Sequence, residues 1–206
     1  MMPENNYMQL LEKFSATMKD ASADTTKGEY MTDDTTVVIN FDCLKDDYVK
    51  SLKLSEIPTS CDALYLHSDE TFYLIEFKNG IIDEKKCYKI KMKILDSLLI
   101  WLDLTDSTIS SSRENISYIL VYNEDCLHTS RQYQQHEECI TATSQNPNHN
   151  DANHTPPSLT YLSKTIAKKA KQHFIQFGLS RYKAIYFKEV YTYTKKEFHD
   201  YFIATC

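Results

Sequence analysis

The chain has 206 residues, enough for one domain with a real core, and its 42% hydrophobic content is that of an ordinary globular protein. Three glycines leave no Gly-rich phosphate loop or dinucleotide fingerprint, and no apolar run reaches the roughly 18 residues that span a bilayer. A net charge of −6 argues against indiscriminate coating of nucleic acid, and Met1 to Leu10 lack the basic-then-apolar order of a secretion signal, so a cytoplasmic protein with no membrane partner is expected.

Tyr7 to Lys19 carries apolar residues at 7, 10, 11, 14 and 18, a helical stripe. Glu12 lies on that helix off the main stripe and reads as a solvated acid. Residues 20 to 35 are small and polar, a loop. Thr36 to Phe41 is β-branched and predicts a strand. Asp46 to Leu54 fits a short helix or a turn, stopped by Pro58. Two apolar runs follow, Cys61 to Leu66 and Phe72 to Lys78, separated by His67 to Thr71, which predicts a β-hairpin. Asn79-Gly80 closes it. A helix is predicted from about Asp83 to Leu104, with Asp83 and Glu84 at its positive end. Its apolar stripe is Cys87, Ile90, Ile94, Leu98, Trp101 and Leu102. Ile116 to Tyr122 reads as a buried strand.

Residues 123 to 157 are rich in Gln, Asn, His, Thr and Ser without periodicity, the composition of a polar, mobile insertion. Cys126, His128, His136 and Cys139 within it are chemically able to bind zinc, but their spacing is not that of a standard finger. Ser158 caps a predicted helix to Phe177, ended by Gly178. Ala184 to Tyr191 predicts a strand, and Thr194-Lys-Lys-Glu197 a capping box opening a last helix to about Ile203. The order of elements predicts one α/β sandwich. Cys43, Cys61 and Cys87 sit among apolar residues and read as small buried hydrophobes. The lysine clusters at 85 to 93 and 164 to 171 read as solvated helix faces.

The hairpin carries the chemistry. With Asp69 at the loop centre, Leu66 faces Phe72, Leu64 faces Leu74, and Asp62 faces Glu76. Directly opposed residues point to one side of an antiparallel pair, and Lys78, two residues beyond Glu76, shares that side. A one-residue slip would scatter the set. Two converging carboxylates repel each other unless a cation intervenes, and Mg²⁺ takes one or two carboxylates plus water and phosphate.

Asp62, then thirteen residues, then Glu76-Phe77-Lys78 at a strand end resembles the PD-(D/E)xK nuclease superfamily over roughly residues 37 to 122. The proline that helps name the superfamily is absent, and Cys61 precedes Asp62. The resemblance implies a restriction-endonuclease-like, three-layer α/β sandwich with a central mixed sheet flanked by helices. It implies Mg²⁺- or Mn²⁺-dependent hydrolysis of phosphodiester bonds in DNA or RNA. It assigns metal ligation to Asp62, Glu76 and the Phe77 carbonyl, and water positioning to Lys78. Superfamily members often add a basic side chain from the following helix. Lys91, inside that helix's stripe, is the candidate, and Lys93, which points elsewhere, is kept as the alternative. The expected partner is a nucleic acid, and two-strand cleavage would suit a homodimer. An inactive member of the same fold, binding protein or nucleic acid, is the competing expectation.

Overall fold

The computed structural model describes residues 4–126 and 175–205. The insertion from 127 onward, most of the helix predicted from Ser158, and the proposed zinc ligands His128, His136 and Cys139 lie outside them.

Helix α1 (Glu4–Phe14) is shorter than its stripe predicts, because Ser15–Thr17 forms the edge strand β1. Thr17 then caps a single turn, α2 (Met18–Ala21), by accepting the Asp20 amide. A tight hairpin of β2 (Ala23–Asp24) and β3 (Glu29–Tyr30) turns at Gly28, whose φ of +67° is easy for glycine. Strand β4 (Val37–Asn40) runs into α3 (Phe41–Leu52), which resolves the helix-or-turn ambiguity and starts earlier than 46. Asn40 supplies the cap by accepting the Cys43 amide.

The predicted hairpin is formed by β5 (Ala63–Leu66) and β6 (Phe72–Lys78). Its register is the expected one, with Leu64 opposite Leu74 and Leu66 opposite Phe72. A long helix, α4 (Glu84–Leu104), and a short one, α5 (Ile109–Asn115), connect β6 to β7 (Ile116–Tyr122), and this crossover makes β6 and β7 parallel. The last strand, β8 (Val190–Thr194), begins six residues later than Ala184. Residues 184 to 186 form a turn instead, closed by a bridge between Lys183 and Phe187, and Ala184 has φ of 60°. The predicted capping box between Thr194 and Glu197 is complete and opens α6 (Lys195–Tyr201).

The main sheet is six-stranded, in the order β1-β4-β5-β6-β7-β8. It is mixed: antiparallel from β1 to β6 and parallel from β6 to β8. Alternation along the strands divides the core in two. Leu64, Leu74, Tyr118 and Leu120 face Ile90, Ile94, Leu98 and Trp101 of α4, with α1 and α3 beside them. Ala63, Ile75, Phe77, Ile119 and Val121 face Met18 of α2 and Phe198 of α6. Helices therefore cover both faces of a mixed sheet, an α/β architecture. Among the described residues no helix is long and apolar enough to cross a membrane. Cys61 is fully buried as expected, but Cys43 is exposed and Cys87 only partly covered. Glu12 is exposed.

Candidate functional site

Glu76 lies on the α4 side of β6, two residues from Leu74, and its side chain has no exposure at all. An ionised carboxylate in such a place needs partners, and it has two. Lys93 Nζ of α4 donates to both its oxygens, at 2.8 and 3.0 Å. Lys78 Nζ, from the end of the same strand, pairs with Oε1.

Asp62 sits just before β5, where the hairpin ladder ends. Its amide donates to the Ile75 carbonyl at 3.0 Å, one residue short of Glu76 in the register. Its carboxylate is turned over the strand end: Oδ2 accepts the Phe77 amide at 2.6 Å, and Oδ1 accepts from Lys93 Nζ at 3.3 Å. Asp62 and Glu76 thus share one ammonium. Asp62 Oδ1 at 3.3 Å and Glu76 Oε1 at 2.8 Å from that nitrogen lie no more than about 6 Å from each other.

The predicted residues Asp62, Glu76 and Lys78 are brought together. Lys91 is not among them. Its ammonium lies beside Gly178, 3.7 Å from where a Cβ there would stand. Lys93 takes the place expected of Lys91. On a helical wheel the two lie on opposite margins of the buried face. The margin that carries Lys93 is fastened to the segment before β5. Ser97 Oγ accepts the Cys61 amide at 2.7 Å, and Asp96 accepts the Thr59 amide at 2.9 Å and its hydroxyl at 2.7 Å. The Lys91 margin faces the other way, where Cys87 Sγ donates to the carbonyl of Phe177 at 3.2 Å.

The Phe77 carbonyl is positioned by strand alternation. Lys78's carbonyl turns toward β7 and accepts the Asn123 amide at 3.1 Å. Phe77's amide turns the opposite way, to Asp62, and in an extended strand the carbonyl of a residue points to the same edge as its amide.

Burial sets the electrostatics. It pushes the Glu76 carboxyl up to about 7, with the neighbouring Asp62 charge adding to the rise and Lys93 and Lys78 opposing it. Burial also raises Asp62, against the pull of Lys93, Lys78 and the Phe77 amide. For Lys93, burial acts to lower the pKa, but Glu76 and Asp62 outweigh it and hold the ammonium firmly protonated. Two carboxylates and two ammoniums give the cluster no net charge when all are ionised.

The cluster borders a cleft of about 360 Å³. Asp62, Phe77 and Lys78 line it together with Asn79, Gly80 and Lys86. Asp24 and Lys27 of the β2–β3 hairpin line it as well. Lys27 was hidden in sequence, being an isolated lysine in a polar loop. Among the described residues no group of three or more His, Cys, Asp or Glu side chains is arranged to hold a metal ion.

Comparison with known proteins finds no matching family model, no matching curated protein and no matching solved structure.

Proposed function

We propose that this chain is a metal-dependent nuclease of restriction-endonuclease-like fold. The observation that carries the reading is the pair Asp62 and Glu76, held around one ammonium beside a cleft that Asp62 and Lys78 line. The donor chemistry fits Mg²⁺ or Mn²⁺: two carboxylates and a main-chain carbonyl, with the remaining positions left to water and phosphate. Asp62, Glu76 and the Phe77 carbonyl would hold the ion. The ion would supply Lewis-acid stabilisation of the phosphate and a more acidic bound water. Lys93 stands between the two carboxylates, so its ammonium has to swing aside when a divalent ion enters. Its side chain is partly exposed, which gives it somewhere to go.

The protein's own groups have separate tasks. Glu76 is buried, so its carboxylate is fixed in place and poorly screened. The Phe77 amide anchors one Asp62 oxygen and leaves the other aimed at the shared position. Lys78 is at the strand end, about a quarter exposed and within reach of the cleft. There it orients an attacking water by hydrogen bonding and offsets negative charge on a phosphate oxygen.

The test is divalent-dependent cleavage of single- and double-stranded DNA and RNA, lost in Asp62→Ala, Glu76→Ala and Lys78→Ala. Absence of cleavage on all four substrates with both Mg²⁺ and Mn²⁺ would refute it. One observation favours a second reading, an inactive binding module: the four charges already neutralise one another without an ion. Calorimetric titration with Mn²⁺ separates the two. The nuclease reading requires binding that Asp62→Asn abolishes, and the binding-module reading requires none.

A further inference from the structure

We infer that the cleft beside Asp62 and Lys78 receives the phosphodiester backbone of the nucleic-acid strand being cut, with Lys27 and Lys86 contacting phosphates next to the reacting one. The inference rests on the nuclease reading and adds to it which residues outside the catalytic cluster hold the substrate. Two elements far apart in sequence bring these lysines to one cleft. Lys27 comes from the turn between β2 and β3, and Lys86 from the first turn of α4.

Each ammonium is tied down by a neutral main-chain oxygen. Lys27 Nζ donates to the Asn79 carbonyl at 2.9 Å, and Lys86 Nζ donates to the Ile81 carbonyl at 2.8 Å. A carbonyl fixes the position of an ammonium without cancelling its charge. Lys78 differs, because its charge is met by Glu76. Gly80 lies against Lys86, with the ammonium 3.5 Å from where a Cβ would stand, so a larger side chain there would crowd it.

The acidic residue opposite, Asp24, is turned inward on its own loop. Its Oδ1 accepts the Thr26 amide at 3.0 Å and the Thr26 hydroxyl at 2.5 Å, and these bonds hold its carboxyl below the usual range. Lys27, Lys78 and Lys86 line the cleft together with Asp24, whose charge Lys27 also meets, and Asp62, while Glu29 accepts from Asn79 Nδ2 at 2.8 Å beside it. Lys27 and Lys86 so placed suit an anion lying next to the catalytic cluster. The volume is at the small end of ligand pockets, room for a short stretch of one backbone.

The experiment is fluorescence anisotropy with a labelled single-stranded 20-mer, as DNA and as RNA, in EDTA so that nothing is cut, between 50 and 200 mM KCl. Each phosphate contact on a single strand contributes about 0.7 to the slope of log K against log salt. Lys27→Gln/Lys86→Gln is therefore expected to flatten the slope by about 1.4 and to weaken binding at 50 mM KCl by about tenfold. The control is Lys53→Gln/Lys196→Gln, which removes the same charge from exposed sites elsewhere and should change the slope little. The inference is overturned if the wild-type protein binds neither strand, if the double variant keeps the wild-type slope, or if the control flattens it equally. Cleavage assays on the same variants keep the two readings apart. Cleavage with an unchanged slope sinks only the cleft assignment. Binding through Lys27 and Lys86 with no cleavage sinks only the nuclease.

Discussion

Lys93→Met removes the ammonium shared by Asp62 and Glu76 while keeping most of the aliphatic stem. The variant leaves Glu76 fully buried with Lys78 as its remaining cation, and Asp62 with the Phe77 amide. Removing one partner of a buried charged pair costs about 3–5 kcal/mol, and the surviving Lys78 places the expected loss near the low end, about 3 kcal/mol at pH 8. The loss depends on pH. Glu76 in the folded protein already titrates at about 7, and removing Lys93 takes away an influence that lowers it. The unfolded carboxyl titrates near 4.5. A folded pKa above the unfolded one makes stability fall as pH rises from the unfolded value through the folded one. The variant therefore escapes most of the penalty at pH 5, where Glu76 is protonated, and the penalty grows as pH rises through about 7 toward the variant's higher folded value. Urea denaturation in EDTA, followed by the fluorescence of the buried single tryptophan Trp101, measures both. A loss below about 1 kcal/mol that is the same at pH 5 and pH 8 would refute the reasoning and make Lys93 an ordinary surface lysine.

Under the nuclease reading Lys93→Met also frees the position between the carboxylates, so Mn²⁺ should bind several-fold tighter by calorimetry; unchanged or weaker affinity would show that the ammonium does not stand in the ion's place. Lys91→Gln should leave Mn²⁺ affinity and cleavage alone and change stability by under about 0.5 kcal/mol, because its ammonium lies toward Gly178. Tyr118→Phe should be neutral or stabilising by about 1 kcal/mol in urea: the ring is fully buried and the hydroxyl has no hydrogen-bond partner among the described residues. Thr194→Ala should cost about 1 kcal/mol, since the Thr194 hydroxyl accepts the Glu197 amide at 3.2 Å in the capping box.

What the sequence made legible was short-range. The hairpin was readable because a five-residue break between two apolar runs leaves only one register that keeps Leu64 and Leu74 on one side. The capping box was readable because both its halves lie within four residues. The failures arose where the next element decides. The stripe that begins at Tyr7 is helical in pattern, yet Ser15–Thr17 leaves the helix to pair with Val37–Ile39, a partner more than twenty residues away. Ala184 to Phe187 has the apolar content of a strand, but its backbone turns at Ala184, and the parallel ladder with β7 begins only at Val190. The order of β4, the hairpin, α4, β7, β8 and the last helix followed from pattern; β1, α2, the β2–β3 hairpin within the expected loop, α5, the strand order and the parallel crossover did not.

The same limit explains the exchange of Lys91 for Lys93. A stripe fixes which residues of α4 face the sheet, and both lysines flank it, but only the direction in which the helix crosses the sheet decides which flank meets the acids. That direction is set by Ser97 on the Cys61 amide and Asp96 on Thr59, two contacts spanning about 36 residues, which no local pattern contains. Once it is set, the chemistry is constrained. A buried Glu76 cannot stay ionised beside Asp62 without a cation, and Lys93 is the cation present. Under the nuclease reading the ammonium holds in the resting protein the place that a divalent ion would take. Competition between them, rather than the presence of two acids alone, is what separates a nuclease from a neutral ion-pair network on the same sheet.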